Sequence, residues 1–321
     1  MNKYPLISII IPLYVIEDRF FRDLEKFKDL KYSNYEILIV CDKKIELKNP
    51  KVMLVYTGEK RTGPAEKRDL ALKYAKGDIC AFIDDDAYPD PMWLTSAVKA
   101  FENKKIVAVG GTGLTPTEDS YFEKVGGLIY QSPLVSGGFS ERFVKGRNSK
   151  SVNDWPAYNL FVRTDILKKV GGYGSYFYGG EDTFLCLKLM KHGLIMYEPD
   201  VIVFHHRRAF LLLHLKQILN VGIHRGYFAR VFPETSRMLI YFMPSLLVVS
   251  ALISIFLAFM NIKLFNILAF TFIAFYALST LSVLNKGSFT QSILAGIGII
   301  LTHIVYGVGF IKGISSTSIK R

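Results

Sequence analysis

Three consecutive carboxylates, Asp84, Asp85 and Asp86, follow the unbroken apolar run from Ile79 to Ile83. Such a run suits a strand buried on both faces. Alternate residues of an extended chain share a face, so Asp84 and Asp86 can aim at one point while Asp85 faces away. Like charges held that close repel unless a cation lies between them. Hard divalent ions such as Mg2+ or Mn2+ take carboxylate oxygens together with phosphate oxygens. The chemistry on offer is therefore cation-assisted handling of a phosphorylated ligand, at the strand end where open α/β sheets bind ligands. A solvated acidic turn is the competing reading, and the neighbouring motifs weigh against it.

The other candidates also stand at element ends. Leu6 to Ile11 reads as a strand closed by Pro12-Leu13-Tyr14, and Tyr35 to Val40 as a second ending at Cys41-Asp42. Lys51 to Tyr56 is a short third strand. Gly63-Pro64 opens a helix through about Ala75, and Asp90-Pro91 caps another to about Asn103. Ile106 to Gly110 and Trp155 to Arg163 read as strands, and Val201 to Phe204 as a last one ending in His205-His206. Gly179-Gly180-Glu181-Asp182 begins a helix, where unpaired N–H groups favour anions. This alternation of strand and helix means an α/β protein with a doubly wound, mainly parallel sheet. No GxGxxG follows the first strand and no GxxxxGK[ST] occurs, which removes dinucleotide and P-loop readings. The stretch from about 112 to 155 is irregular and basic, and its length suits a mobile loop over the site.

The 321 residues carry a net charge of +12, and half of them are hydrophobic. A basic balance fits nucleic acid, anionic lipid or phosphorylated substrates. The apolar residues pile up after about residue 238, which favours lipid. Three segments, about 239–260, 262–284 and 290–311, are long enough to span a bilayer, with turns at Asn261-Ile262-Lys263 and Asn285-Lys286-Gly287-Ser288. Residues 207 to 237 read as an amphipathic interfacial segment whose Arg207, Arg208, Arg225 and Arg230 meet headgroups. The expected organisation is a catalytic domain over 1–206, the interfacial segment over 207–237 and a transmembrane region over 238–321. Basic residues crowd before the first span, which puts the catalytic part in the cytosol. Three crossings would place Lys312, Lys320 and Arg321 outside, against that tendency, so one segment is open to a tilted or re-entrant reading. Cys41, Cys80 and Cys186 sit in apolar stretches without metal-ligand spacing and read as buried thiols. No aromatic-basic RNA motif appears, so nucleic acid is not expected as a partner.

Taken in order, Ile-Ile-Pro-Leu-Tyr, Ile-Val-Cys-Asp, Gly-Pro-Ala-Glu-Lys-Arg-Asp, Phe-Ile-Asp-Asp-Asp, Asn-Leu-Phe-Val-Arg, Gly-Gly-Glu-Asp-Thr and Val-Phe-His-His resemble the family 2 glycosyltransferases over residues 5 to 208. The resemblance implies a GT-A-like fold, a nucleotide-sugar donor and Mn2+ or Mg2+. It implies Pro12, Tyr14, Asp42, Arg68, Asp84 and Asp85 at the nucleotide sugar, with Asp86 and His205 at the metal and His206 as the register alternative. It implies Asp182 as catalytic base, with Trp155, Asn159 and Glu181 on the acceptor side. Cys41 stands where many relatives carry a second Asp. The Gln-x-x-Arg-Trp of processive synthases is missing, since Ile218, Leu219, Asn220 and Val221 follow Gln217. The expectation is a non-processive, inverting, membrane-bound transferase acting on a glycan or polyprenyl-linked acceptor. A polyprenyl-phosphate glycosyl synthase and a non-catalytic scaffold subunit are the alternatives.

Overall fold

The computed structural model describes every residue except 1–3, 15, 59–61, 176, 178, 259–261 and 320–321. The turn expected at Asn261, and Lys320 and Arg321, lie outside the described residues. In chain order come β1 (Ile7–Leu13), α1 (Asp18–Glu25), β2 (Tyr35–Cys41), β3 (Val52–Tyr56), α2 (Pro64–Leu72), β4 (Ile79–Phe82), β5 (Ala87–Pro89), α3 (Trp93–Ala100) and β6 (Ile106–Leu114). There follow α4 (Tyr121–Gln131), α5 (Pro133–Ser136), β7 (Lys150–Val152), β8 (Leu160–Arg163), α6 (Thr164–Lys169), α7 (Glu181–Leu189) and β9 (Leu194–His205). The last five are α8 (Leu212–Val231), α9 (Pro233–Ser236), α10 (Leu239–Ala258), α11 (Ile262–Leu281) and α12 (Phe289–Ser315).

The chain divides into two compact units. The first comprises Met1–Leu114 with Val144–His205, the second Thr115–Phe143 with His206–Arg321. The first unit is built on one mixed sheet, ordered β3-β2-β1-β4-β8-β6-β9-β5, with β7 paired to β9. β3, β2, β1 and β4 are mutually parallel. The parallel run ends at β8, which is antiparallel to both β4 and β6, and β9 then pairs parallel to β6. The central strands are apolar because helices cover both of their faces. β1 and β4 are buried at every position. Ile7, Ile9, Phe161 and Trp93 fill the core on one face, and Ile10, Phe82, Leu160 and Trp155 the other.

Two readings of the sequence are corrected. The stretch expected as a mobile loop over 112–155 is largely ordered: it extends β6, builds α4 and α5, and adds β7. α4 opens with a capping box, Ser120 accepting from Glu123 N–H and Glu123 from Ser120 N–H. Its Val125, Leu128 and Ile129 pack on Ala295 and Ile299 of α12, so the segment joins the second unit. The final strand is also longer than the apolar run Val201–Phe204. β9 passes through Glu198, Pro199 and Asp200 because the β6 ladder tolerates an irregularity between Gly110 and Thr112.

All three C-terminal apolar segments are helical. Among the described residues, α10 over Leu239–Leu257 and α12 over Phe289–Ser315 are long and apolar enough to cross a membrane, while α11 offers the shorter stretch Phe265–Leu281.

Candidate active site

Strand register assembles the acidic centre. β4 ends after Phe82, and the chain turns back with Ala87 N–H donating to the Asp84 carbonyl. β5 then pairs antiparallel with the end of β9, setting Ala87 opposite His205. The result brings Asp84, Asp86 and His205 together, with one ligand atom from each lying within 4.8 Å of the others. His205 Nε2 lies 3.0 Å from Asp86 Oδ1, and its ring packs on Tyr158 at 4.6 Å. Two carboxylates and an imidazole, all partly open, suit a divalent cation. His206, the register alternative, points elsewhere: its Nδ1 pairs with the buried Asp119 in the second unit. Asp85 faces away from the cluster and accepts Tyr14 N–H at 2.6 Å, tying the end of β1 to the acidic turn. Pro12 is buried in β1 opposite Val40, whereas Tyr14 is exposed.

α2 brings two neighbouring cations to two different acids. Pro64 occupies its first turn, and Glu66 accepts Gly63 N–H at 2.9 Å. Lys67 is buried and donates to Asp42 Oδ2 at 2.8 Å and to the Leu13 carbonyl at 2.6 Å. Asp42 also accepts from Thr57 Oγ1 at 2.7 Å. Burial pushes the Asp42 carboxyl up, but its Lys67 and Thr57 bonds prevail and hold it below the ordinary range. Lys67 is the site residue that motif reading passed over. Its signal was two consecutive cations in a helix that must pack on the sheet, where each needs its own acid.

Arg68 joins the two halves of the site. It is buried, donating to Asp84 Oδ1 at 2.7 Å and reaching Glu181 Oε1 and Asp182 Oδ1 at 3.5 Å each. Its guanidinium lies 5.2 Å from the centre of the Tyr173 ring. Burial alone would lower Arg68; the surrounding Tyr173, Asp84, Asp182 and Glu181 more than offset this and keep it charged.

Glu181 and Asp182 open α7 after Gly180, which adopts φ 77° as only glycine does readily. Glu181 is nearly enclosed, its side chain 9% exposed, and its Oε2 accepts Gly179 N–H at 2.8 Å. Asp182 stays 24% exposed, with Oδ2 accepting Ala157 N–H at 3.0 Å. Enclosure and the Glu181 charge push Asp182 up to about 7, against the opposing pull of Arg68 and the Ala157 N–H. A carboxyl that titrates near neutrality and can still be reached from outside is placed to take a proton.

Two residues expected on the acceptor side are core residues instead. Trp155 is 1% exposed, donates Nε1–H to the Gly111 carbonyl at 3.0 Å and stacks on Tyr197. Asn159 is fully buried: it accepts from Trp93 Nε1 at 2.8 Å and donates to the Thr112 and Val201 carbonyls at 3.0 Å. Its amide is thus spent on joining α3, β6 and β9. Replacing Asn159 with alanine is expected to cost several kcal/mol of stability, at about 1–3 kcal/mol for each buried partner left unpaired. Thermal unfolding reads this; an unchanged Tm with a raised acceptor KM would restore the acceptor role.

The four arginines expected at headgroups all belong to the second unit. Arg207 is buried against the Phe143 and Tyr130 rings, at 5.2 and 5.9 Å, and Arg208 is exposed. Arg225 lies over Tyr241 and donates to Ser236 Oγ at 3.2 Å, and Arg230 donates to the Ser316 carbonyl.

Residues 8–165 match the model of the family described as Glycosyl transferase family 2. The chain is 25% identical over 233 residues to Glycosyltransferase AglE of Haloferax volcanii, covering 69% of this chain and 73% of that one. It is 36% identical over 95 residues to the UDP-Glc:alpha-D-GlcNAc-diphosphoundecaprenol beta-1,3-glucosyltransferase WfgD of Escherichia coli, covering 27% of this chain and 36% of the relative. The mannosyltransferase PcManGT of Pyrobaculum calidifontis, solved with GDP-Man and Mn2+, shares the fold. Its TM-score is 0.63 at 15% identity, over 93% of this chain and 88% of that one.

Proposed function

Because the chain belongs to the glycosyl transferase family 2, we propose that it moves a sugar from a nucleotide-sugar donor to a hydroxyl of a lipid-linked glycan. The transfer proceeds with inversion and a divalent cation, at the cytosolic face of a membrane. One observation carries the mechanism: Asp182 is the carboxyl beside the acidic cluster that is raised towards neutrality while still open to a substrate.

Asp86 and His205, with Asp84 beside them, would hold Mn2+ or Mg2+. When bound there, such an ion offsets the charge that develops on the departing nucleoside diphosphate. Asp84 and Asp85 would meet the donor's ribose and diphosphate, a reading supported by Tyr14 and Asp42 at the ends of β1 and β2 and by the Tyr14 N–H bond to Asp85. Arg68 keeps Asp84 and Asp182 at fixed positions relative to each other through one guanidinium. Asp182 then accepts the proton of the attacking acceptor hydroxyl. Glu181 is taken up by Gly179 N–H and Arg68, and no second carboxylate is assigned as nucleophile beside the base. One base and one cation, with no assigned nucleophile, support the reading of a single displacement with inversion.

The lipid-linked acceptor rests on the apolar C-terminal helices and on the Escherichia coli relative, whose name specifies a diphosphoundecaprenol-linked sugar. The test is a panel of nucleotide sugars with Mn2+ or Mg2+, read by diphosphate release, using an acceptor sugar with and without its polyprenyl tail. Release is expected with a matching donor, the cation and the tailed acceptor, and is expected to vanish with chelator. Equal rates without the tail would contradict the lipid linkage, and silence with every donor would contradict the transfer.

A further inference from the structure

We infer that α12 does not cross the membrane and that the α10–α11 hairpin alone enters it, so that both ends of the second unit's helical run stay on one face. By length and composition α12 qualifies as a span, but 50% of its apolar window is already buried inside the protein, against 6% for α10. Its main companion is α8, which runs parallel to it. His214 Nε2 meets Thr302 Oγ1 at 2.9 Å, Gly222 lies on the Tyr306 carbonyl, Gly226 on that of Phe310, and Arg230 donates to the Ser316 carbonyl. The contact is backbone on backbone. A Cβ at Gly222 or Gly226 would stand 2.6 or 2.1 Å from those carbonyls. One at Gly309 or Gly313 would stand 2.7 or 2.0 Å from the Leu219 and Ile223 carbonyls. Small residues four apart on both helices create this approach. Wherever α12 lies, α8 lies beside it.

The outward face of α8 decides where that is. Lys216, Gln217, Asn220 and Arg230 are exposed, and Arg225 is half-buried. Lys216 and Arg230 stand about 21 Å apart along the helix, most of the hydrocarbon thickness. If α12 stood upright in the bilayer, these groups would be strung across the hydrocarbon, where charged side chains are costly. Lying along the headgroups instead, α8 keeps its cations wet and rests the exposed Leu212 and Leu213 on the acyl boundary.

α10 and α11 have the opposite character. α10 contains no charged residue, and α11 has only Lys263 at its start. Leu252, Phe256, Phe270 and Ile273 are 63 to 73% exposed, a surface that hydrocarbon fits and water does not. α10 has 20 residues, enough for a span of about 30 Å, and the shorter apolar stretch Phe265–Leu281 of α11 lies at the lower end of that length range. The charges agree with this placement. With two crossings, Arg237, Lys286 and Lys312 lie on one face and Lys263 alone at the far tip, which removes the conflict that three crossings raise.

Single-cysteine variants test this, since Cys41, Cys80 and Cys186 are buried. Glu234→Cys, Lys263→Cys, Ser318→Cys and Asn220→Cys would be labelled with a membrane-impermeant maleimide, before and after permeabilisation without solubilising the membrane. Glu234→Cys, Ser318→Cys and Asn220→Cys are expected to respond alike and Lys263→Cys oppositely. Ser318→Cys labelling with Lys263→Cys, all four labelling from one face, or Asn220→Cys staying unreactive throughout would each overturn the topology. The labelling needs no substrate, so its outcome is independent of the sugar transferred.

Discussion

Replacing Asp182 with asparagine is expected to leave donor binding nearly intact and to cut transfer by ~10²–10⁴-fold, the contribution of a positioned general base. The substitution keeps shape and removes only the proton acceptor. Arg68 retains Asp84 and Glu181 as partners, so the donor side keeps its charge balance. The same residue sets the pH dependence. Asp182 must be ionised to act, and it is pushed up to about 7, so kcat/KM is expected to rise as pH climbs through neutrality and to level off above. In Asp182→Asn that limb disappears. Stability runs the other way. A carboxyl raised in the folded state holds its proton more tightly than in the unfolded chain, so its contribution is full below the unfolded value. It is lost as pH rises through the folded one. Near-normal turnover in Asp182→Asn would remove the residue from its role and favour a lipid-phosphate acceptor, whose oxygen needs no base.

The second large effect is at Asp86. Asp86→Ala is expected to abolish the cation-dependent part of donor binding and to take transfer below detection. It removes one of three converging ligand atoms and leaves His205 without its 3.0 Å partner. Titrating a nucleoside diphosphate with and without Mn2+ reads the first effect directly. Equal affinity in both arms, for wild type and variant alike, would count against the cluster as a cation site.

Much of this site was legible because polar residues at strand ends interrupt apolar runs. Asp42, Asp84 and Asp86 stand where a buried strand must surface, and the alternation rule correctly turned Asp85 away. What sequence could not provide was register. His205 and His206 are equivalent until β5 pairs with β9 and sets Ala87 opposite the first of them. Trp155 and Asn159 misled for a related reason: a polar side chain near a motif looks the same whether it faces a ligand or bridges the core. In α4, the Ser120 and Glu123 capping box is a helix start that the loop reading of 112–155 passes over, and Gly126 and Gly127 within the helix reinforce that reading. They are glycine because a Cβ there would stand 2.5 Å from the Arg208 carbonyl or 2.3 Å from Thr115 Oγ1. The Arg208 contact comes from chain distant in sequence, which no local pattern encodes.

Asp84, Asp86 and His205 are proposed to hold a cation at the rim of the sheet. Anomalous scattering from crystals grown with Mn2+ and a nucleoside diphosphate tests it most directly. One strong peak is expected within coordinating distance of the Asp84, Asp86 and His205 cluster. A diphosphate bound with no peak there, or a peak coordinated by other residues, would contradict it.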